Sequence, residues 1–339
     1  MARIVTGIKP TGPPHLGNYL GMIRPALDLA AQHDGYYFIA DYHALNTAPD
    51  PDELHRRSIV TAATLLALGL DPSRTALYRQ SDVPEVFELT ALLATVTPKG
   101  LLNRAHAYKA AVADNEHVGR HVDHGVNMGL FTYPLLMAAD ILAPGGELVP
   151  VGRDQNQHLD ITRDVATAFN ARVGPVLTLP DAYIQERNHT VLGTDARKMS
   201  KGYGNTIPVL ASPDVLRKAV MGIVTDSSPV EAVKDPDRDV VFQLFRLVAS
   251  YDEVEQLRQR YLAGGLGYGE AKQLLLDVLV ETFAAARARF ADILAAPDEI
   301  ARILHDGAAQ ARQLAAITLD RARDAIGIRP LTAVVAITR

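Results

Sequence analysis

The chain has 339 residues, 48% of them hydrophobic and 22% charged, which allows one large core and a smaller second domain. The absence of cysteine excludes disulfides, thiolate zinc sites and iron–sulfur clusters, and the formal net charge of −5 argues against a broadly basic nucleic-acid surface. No signal segment and no membrane-length apolar run are found, so we expect a cytoplasmic protein.

Short β-like runs alternate with helical periods in the first half of the chain. Strands are predicted at residues 3–7, 36–41 and 75–80, with helices after Asn18 and from about Asp52. This alternation predicts an α/β fold, a Rossmann-like doubly wound parallel sheet with crossover helices. A functional site is expected at the carboxyl ends of the strands.

The first motif, PTGPPHLGN at residues 10–18, follows the first strand and opens a helix. Its glycines let the backbone approach a ligand closely, and His15 and Asn18 lie where backbone N–H groups and the helix dipole favour phosphate. Taken alone, this pattern is equally compatible with a turn that has only a structural role.

The apolar segment at residues 133–142 is predicted to be a helix with Pro134 in its first turn. Tyr133, Met137 and Asp140 share one face, and a carboxylate among apolar neighbours needs a hydrogen-bond donor. That donor could belong to a ligand. An aspartate satisfied within the core, or one that caps a helix, is the alternative.

The second motif, KMSKG at residues 198–202, lies in a polar, glycine-containing stretch predicted to be an exposed loop from 181 to 204. Its two lysines could neutralise a phosphoryl group, although lysines on a loop often have no such role. A further strand-like run at 147–151 precedes a polar turn.

Beyond Pro208 the pattern is helical, at residues 212–224, 238–250, 253–262, 270–294 and 297–326. We expect a catalytic domain at 1–205, an all-helical domain at 206–326 whose last helix packs back on the first domain, and a tail at 327–339. Arginines that could contact RNA are interleaved with acidic residues, so solvated helix faces are an equal interpretation; they are Arg258, Arg260, Arg287, Arg289, Arg321 and Arg323.

The two motifs resemble the signatures of class I aminoacyl-tRNA synthetases, and within that class the bacterial tryptophanyl-tRNA synthetases. The resemblance covers most of the chain, because further matching segments occur in order: DYHA at 41–44, YPLLMAADIL at 133–142, VPVGRDQNQH at 149–158 and GYGEAK at 267–272.

The resemblance implies the site residues and their roles. The catalytic group is Lys198, Lys201, Lys109 and His15. The ATP-binding group is Lys9, His15, Gly17, Asn18, Gly152, Asp154, Lys198, Met199, Ser200 and Lys201. The tryptophan-binding group is Val5, Gly7, His43, Tyr133, Met137, Asp140 and Gln155. The lysines of the second motif would neutralise charge on pyrophosphate, and Asp140 would accept the indole N–H.

Three positions depart from the resemblance. Val5 and Lys9 stand where many bacterial tryptophanyl enzymes have an aromatic residue and a glutamine, and Gly202 replaces the usual last serine of the second motif. The related tyrosyl enzymes have a tyrosine and an aspartate near the first two places. We expect Val5 to enlarge the pocket and Lys9 to add a cation near the substrates.

The resemblance also implies the reaction and the partners. L-tryptophan would be activated with ATP and Mg²⁺, with no metal ligated tightly by the protein, and transferred to tRNA(Trp) by a homodimer. The alternatives are a tyrosyl-tRNA synthetase with an altered pocket, a paralogue that binds tryptophan and ATP without charging tRNA, and a nucleotidylyltransferase with a similar turn.

Overall fold

A five-stranded parallel sheet forms the centre of the computed structural model, which describes residues 1–47, 50–150, 156–183 and 190–329. The strand order is β3-β2-β1-β4-β5. The strands are β1 Arg3–Ile8, β2 Asp34–Ile39, β3 Thr75–Arg79, β4 Leu148–Pro150 and β5 Asp181–Tyr183. The predicted doubly wound α/β fold is confirmed, and the order reverses beside β1, where such sheets bind ligands.

Helices connect and cover the strands. Their bounds are α1 Leu16–Asn18, α2 Arg24–Ala30, α3 Asp41–Ala44, α4 Pro51–Ala67, α5 Glu85–Ala94, α6 Lys99–Leu102, α7 His106–His117, α8 Met128–Leu142, α9 Asn156–Val173, α10 Pro213–Met221, α11 Val240–Phe245, α12 Tyr251–Ala263, α13 Tyr268–Thr282, α14 Ala284–Leu294 and α15 Pro297–Ile326. A π-helical turn, Tyr19–Ile23, joins α1 to α2.

The two faces of the sheet bury different side chains, because successive strand residues point to opposite sides. Val5 and Phe38 pack on one face with residues of α5, α8 and α9. Ile4 and Ile39 pack on the other face with residues of α2 and α4. Burying each of these large side chains stabilises the fold by roughly 1.5–3 kcal/mol.

The helices α10 to α14 form a separate apolar cluster around fully buried Val241, Phe242 and Tyr261. Leu16 from the first motif and Met199 from the second motif belong to this cluster. The helical part of the chain therefore packs directly against both motifs.

The long helix α15 runs past the edge strand β3 and contacts both faces of the sheet. Its first half, with Leu304, joins the cluster of α2 and α4, and its second half, with Ala311, joins the opposite cluster. The crossing point is Gly307, where a Cβ would lie 2.1 Å from the Leu77 carbonyl oxygen. A glycine is required there because the helix backbone touches the strand backbone.

Several predicted boundaries are wrong. The helix predicted at 270–294 is two helices separated at Phe283, whose buried ring packs edge-on against Tyr19. The helix predicted at 238–250 is shorter in the structure and consists only of α11. Pro134 does not lie in the first turn of its helix, because α8 already begins after Asn127, whose side chain caps it. The loop predicted from 181 begins as strand β5, paired with β4.

Candidate functional site

A cavity of about 640 Å³ opens at the carboxyl ends of β1, β2 and β4. Seven of the residues assigned from the sequence line it: Val5, Gly7, Lys9, Asn18, His43, Tyr133 and Met137. A larger residue does not fit in place of Gly7, because its Cβ would lie 2.4 Å from the Phe38 ring. Partial burial lowers the pKa of the Lys9 ammonium.

The first motif is held rigid by a reciprocal cap at the start of α1. The His15 Nδ1 accepts a hydrogen bond from the Asn18 backbone N–H at 3.2 Å, and the Asn18 side chain accepts from the His15 N–H at 3.3 Å. Burial, reinforced by the Lys201 charge, lowers the pKa of His15 to about 4. His15 is therefore neutral at pH 7, and its remaining ring proton is on Nε2 as a donor.

The two motifs contact each other directly. The Gly17 backbone N–H lies 3.3 Å from the Met199 sulfur, and the Lys201 ammonium donates to the Thr11 and Gly12 carbonyls at 2.7 and 3.2 Å. A Cβ on Gly17 would approach the His15 ring to 3.1 Å, so a larger residue would crowd this contact. Residues 190 positions apart in sequence thus form one site.

The second motif has a defined conformation in the structure. Buried Asn205 accepts from the Ser200 N–H at 2.8 Å and donates to the Lys198 carbonyl at 3.1 Å. Gly202 has a negative φ and open space beside it, with only the Ser200 Oγ near a Cβ at 3.7 Å. A serine at position 202 would fit without strain.

Lys198 and Lys109 are exposed cations. Lys198 directly precedes buried Met199, and Lys109 lies on α7, two residues after Ala107, which lines the cavity. Neither ammonium lines the cavity wall in the described part of the chain. Both are free to move toward an anionic ligand.

Asp140 lies behind the wall of the cavity, and protein donors satisfy it. His43 Nε2 lies 2.9 Å from its Oδ2, and the Gln80 amide donates to both oxygens at 2.8 and 3.0 Å. The alternative of an aspartate satisfied within the core thus applies to part of its acceptor capacity, and the ligand role of Asp140 stays a prediction. Burial raises the pKa of Asp140, while the hydrogen bonds from His43 and Gln80 oppose that shift.

Tyr133 and His43 form an aromatic wall beside Met137. Their rings lie edge to face, with centroids 6.0 Å apart, and the Tyr133 hydroxyl contacts the buried ring of His158. Burial raises the pKa of Tyr133 to about 12, so the hydroxyl keeps its proton. This end of the cavity suits a flat, apolar ligand.

The predicted site residues Gly152, Asp154 and Gln155 lie outside the described residues. The sequence analysis missed Gln80, His158 and Asn205, which support the assigned residues from behind. Gln80 follows the end of β3, so the rule that polar residues at strand ends form sites could have found it.

The six candidate arginines are engaged within the protein. Arg258, Arg260 and Arg323 pair with the carboxylates of Asp237, Glu270 and Glu88. Arg287, Arg289 and Arg321 donate to the backbone carbonyls of Val280, Ala67 and Pro175. These contacts favour the interpretation of solvated or structural helix faces.

Within residues 1–47, 50–150, 156–183 and 190–329, no three His, Asp or Glu side chains converge to hold a metal ion. In the same part of the chain, no helix combines the length and apolar character needed to span a bilayer. The described residues at the site offer lysines, a neutral imidazole and backbone donors at one end, and aromatic and apolar side chains at the other.

A family model described as class I tRNA synthetases for tryptophan and tyrosine (W and Y) matches residues 1–284. The tryptophan–tRNA ligase of Pseudomonas aeruginosa is 49% identical over 335 residues, covering 97% of this chain and 74% of that protein. The tryptophan–tRNA ligase of Rhodopirellula baltica is 48% identical over 327 residues, covering 96% of this chain and all of that protein.

The chain is also similar to solved structures of tRNA synthetases. The tryptophanyl-tRNA synthetase of Campylobacter jejuni, crystallised with ADP and tryptophan, has a TM-score of 0.88 and 40% identity, covering 96% of this chain and 99% of that one. A tyrosyl-tRNA synthetase of Archaeoglobus fulgidus, with a TM-score of 0.62 and 21% identity, shares the fold.

Proposed function

The chain belongs to the class I tRNA synthetases for tryptophan and tyrosine, and we propose from this premise that it is a tryptophan–tRNA ligase. The observation that carries the choice of tryptophan is the near-complete match to tryptophan–tRNA ligases at 48–49% identity. The geometry supports it, because an aromatic cavity backed by a carboxylate lies beside two joined motifs that carry lysines.

In the first step, the tryptophan carboxylate attacks the α-phosphorus of ATP in line. A carboxyl oxygen–phosphorus bond forms, the bond from the α-phosphorus to the bridging oxygen breaks, and pyrophosphate leaves. The chain contributes position and charge and forms no covalent bond itself. His15 Nε2, the Asn18 amide, Lys198, Lys201 and Lys109 are the donors assigned to the phosphates.

In the second step, a ribose hydroxyl at the 3′ end of tRNA(Trp) attacks the activated carbonyl carbon, and AMP leaves. Mg²⁺ enters with ATP as part of the substrate and is held chiefly by the phosphates. The helical part, residues 206–326, is assigned to the anticodon, and the enzyme works as a homodimer in the cytoplasm. These assignments rest on the family.

The tryptophan ring is assigned to the space between Val5, His43, Tyr133 and Met137, with its N–H directed to Asp140. A carboxylate acceptor discriminates against phenylalanine, because the acceptor position would then lose its ligand donor. Gln155 is assigned to the amino-acid head group, with Gly152 and Asp154 near the ribose. Lys9 places a cation where the amino acid and ATP meet.

The deciding experiment is ATP–pyrophosphate exchange by the purified protein, with each of the twenty amino acids supplied in turn. Exchange with tryptophan alone is expected, followed by charging of tRNA(Trp). Exchange with tyrosine alone would contradict the proposal, and exchange with none would indicate a paralogue that binds without activating. The chain contains no tryptophan, so bound substrate can be followed by indole fluorescence.

A further inference from the structure

Gln80 is a buried amide that joins three elements behind the cavity. It lies directly after β3 and is 1% exposed. Its Oε1 accepts from the backbone N–H of His43 at 3.3 Å, and its Nε2 donates to the Asp140 carboxylate. The side chain thus connects the end of β3, helix α3 and helix α8.

The contacts fix the orientation of the Gln80 amide. The His43 backbone N–H can only donate, so it requires the carbonyl end of Gln80, and the NH₂ end must then face Asp140. The opposite amide orientation would place two donors together and an amide oxygen against a carboxylate. Both ends of the side chain are therefore determined by their partners.

The same contacts determine what Asp140 can still accept. Oδ2 accepts from Gln80 and faces His43 Nε2, whereas Oδ1 accepts from Gln80 alone among the described residues. A carboxylate oxygen has two lone pairs, so one acceptor position remains on Oδ1. Gln80 and His43 together leave this oxygen as the place for one further donor.

We propose that Gln80 is a positioning residue for substrate selection, which orients the Asp140 carboxylate so that Oδ1 accepts the N–H of the substrate side chain. This inference rests on the proposed function. Gln80 itself does not line the cavity and acts only through Asp140. It restrains a buried carboxylate that would otherwise rotate about its terminal torsion, which is broad and soft.

The role of Gln80 differs from that of an ordinary core residue in one measurable way. Loss of an ordinary core residue weakens the binding of all ligands of the cavity alike. Loss of a residue that orients an N–H acceptor weakens the binding only of ligands that carry the N–H. The two cases are separated by tryptophan and its benzothienyl isostere, β-(benzothiophen-3-yl)alanine, in which sulfur replaces the indole N–H.

The test is the dissociation constant of each ligand, measured by calorimetry, for the unmodified protein and for Gln80→Met. Methionine keeps the length of the side chain and removes both hydrogen-bonding groups. We expect tryptophan to bind about tenfold more weakly, as for loss of a hydrogen bond to a charged group, and the isostere to change less than twofold. The KM for ATP should stay the same.

Gln157→Met is the matched control. Like Gln80, Gln157 uses both ends of its amide, but on two backbone groups: it accepts from the His106 N–H at 2.8 Å and donates to the Arg104 carbonyl at 3.0 Å, with no hydrogen bond to Asp140. It should leave the ratio of the two dissociation constants unchanged. If Gln80→Met does not fold, Gln80→Leu, which also lacks both hydrogen-bonding groups, replaces it, with the same expected loss confined to tryptophan.

Equal weakening of both ligands by the Gln80 variant, or an unchanged affinity for tryptophan, would overturn the inference. Either result leaves the proposed function standing if the unmodified protein supports tryptophan-dependent pyrophosphate exchange. Absence of that exchange in the unmodified protein contradicts the proposed function, and the inference with it.

Discussion

The Lys201 ammonium donates to the Thr11 carbonyl oxygen at 2.7 Å, and this bond fastens the second motif to the turn of the first. Lys201→Ala removes it, so we expect faster backbone hydrogen exchange in residues 196–204. Lys201→Met is the control that keeps the aliphatic stem without the donor, and it should give the same increase. Unchanged exchange in both variants would show that the contacts of Met199 and Asn205 hold the loop without Lys201.

The Lys198 side chain is exposed and its ammonium makes no hydrogen bond in the described part of the chain, so the ammonium is available for charge that appears only during the reaction. Lys198→Ala should lower the rate constant of adenylate formation about 100-fold and leave the KM for tryptophan unchanged. Lys218→Ala, an exposed lysine on α10, is the control. An effect confined to tryptophan affinity would count against the assigned role.

Asp140→Ala should abolish tryptophan activation and also destabilise the protein. The substitution leaves the His43 and Gln80 donors without their acceptor, which lowers the free energy of unfolding by about 1–3 kcal/mol. Asp140→Asn keeps the shape and one acceptor oxygen, so it should lose activation with less loss of stability. Denaturant titration and pyrophosphate exchange test both effects, and near-normal exchange would remove Asp140 from its role.

The low pKa of His15 gives the protein a specific pH response. The folded state binds this proton near pH 4, and the unfolded chain binds it near 6.5. The unfolded state therefore holds more protons between these values, and the free energy of unfolding falls as the pH drops from about 6.5 to 4. His15→Asn keeps a cap and should flatten this slope, whereas His305→Gln, at an exposed position of α15, should keep it. Equal slopes in all three proteins would contradict the burial argument.

Gly307→Ala should be strongly destabilising, because its Cβ would lie 2.1 Å from the Leu77 carbonyl oxygen. Overpacking of this kind lowers the free energy of unfolding by about 1–3 kcal/mol or more. Gly269→Ala, at an open position in α13, is the matched control and should stabilise slightly. Similar melting temperatures for the two variants would mean that α15 can shift away from β3.

The sequence predicts the sheet because β1, β2 and β3 are short apolar runs between helical periods, and it predicts both motifs because each is contiguous. It does not predict the break at Phe283, since no glycine or proline marks it and the cause is a contact with Tyr19, far away in sequence. The sequence does not predict the hydrogen-bond partners of Asp140 for the same reason. Gln80 is 60 residues away, and only strand order brings it to α8.

The crossing of α15 at Gly307 also determines the order in which the chain can complete its fold during synthesis. Strand β3 can pair with β2 as soon as residue 79 has emerged, but its outer side is covered only by residues beyond 300. More than two hundred residues must therefore be made while an edge strand is open to other chains. Throughout that interval the outer edge of β3 is a site at which another chain could add a strand.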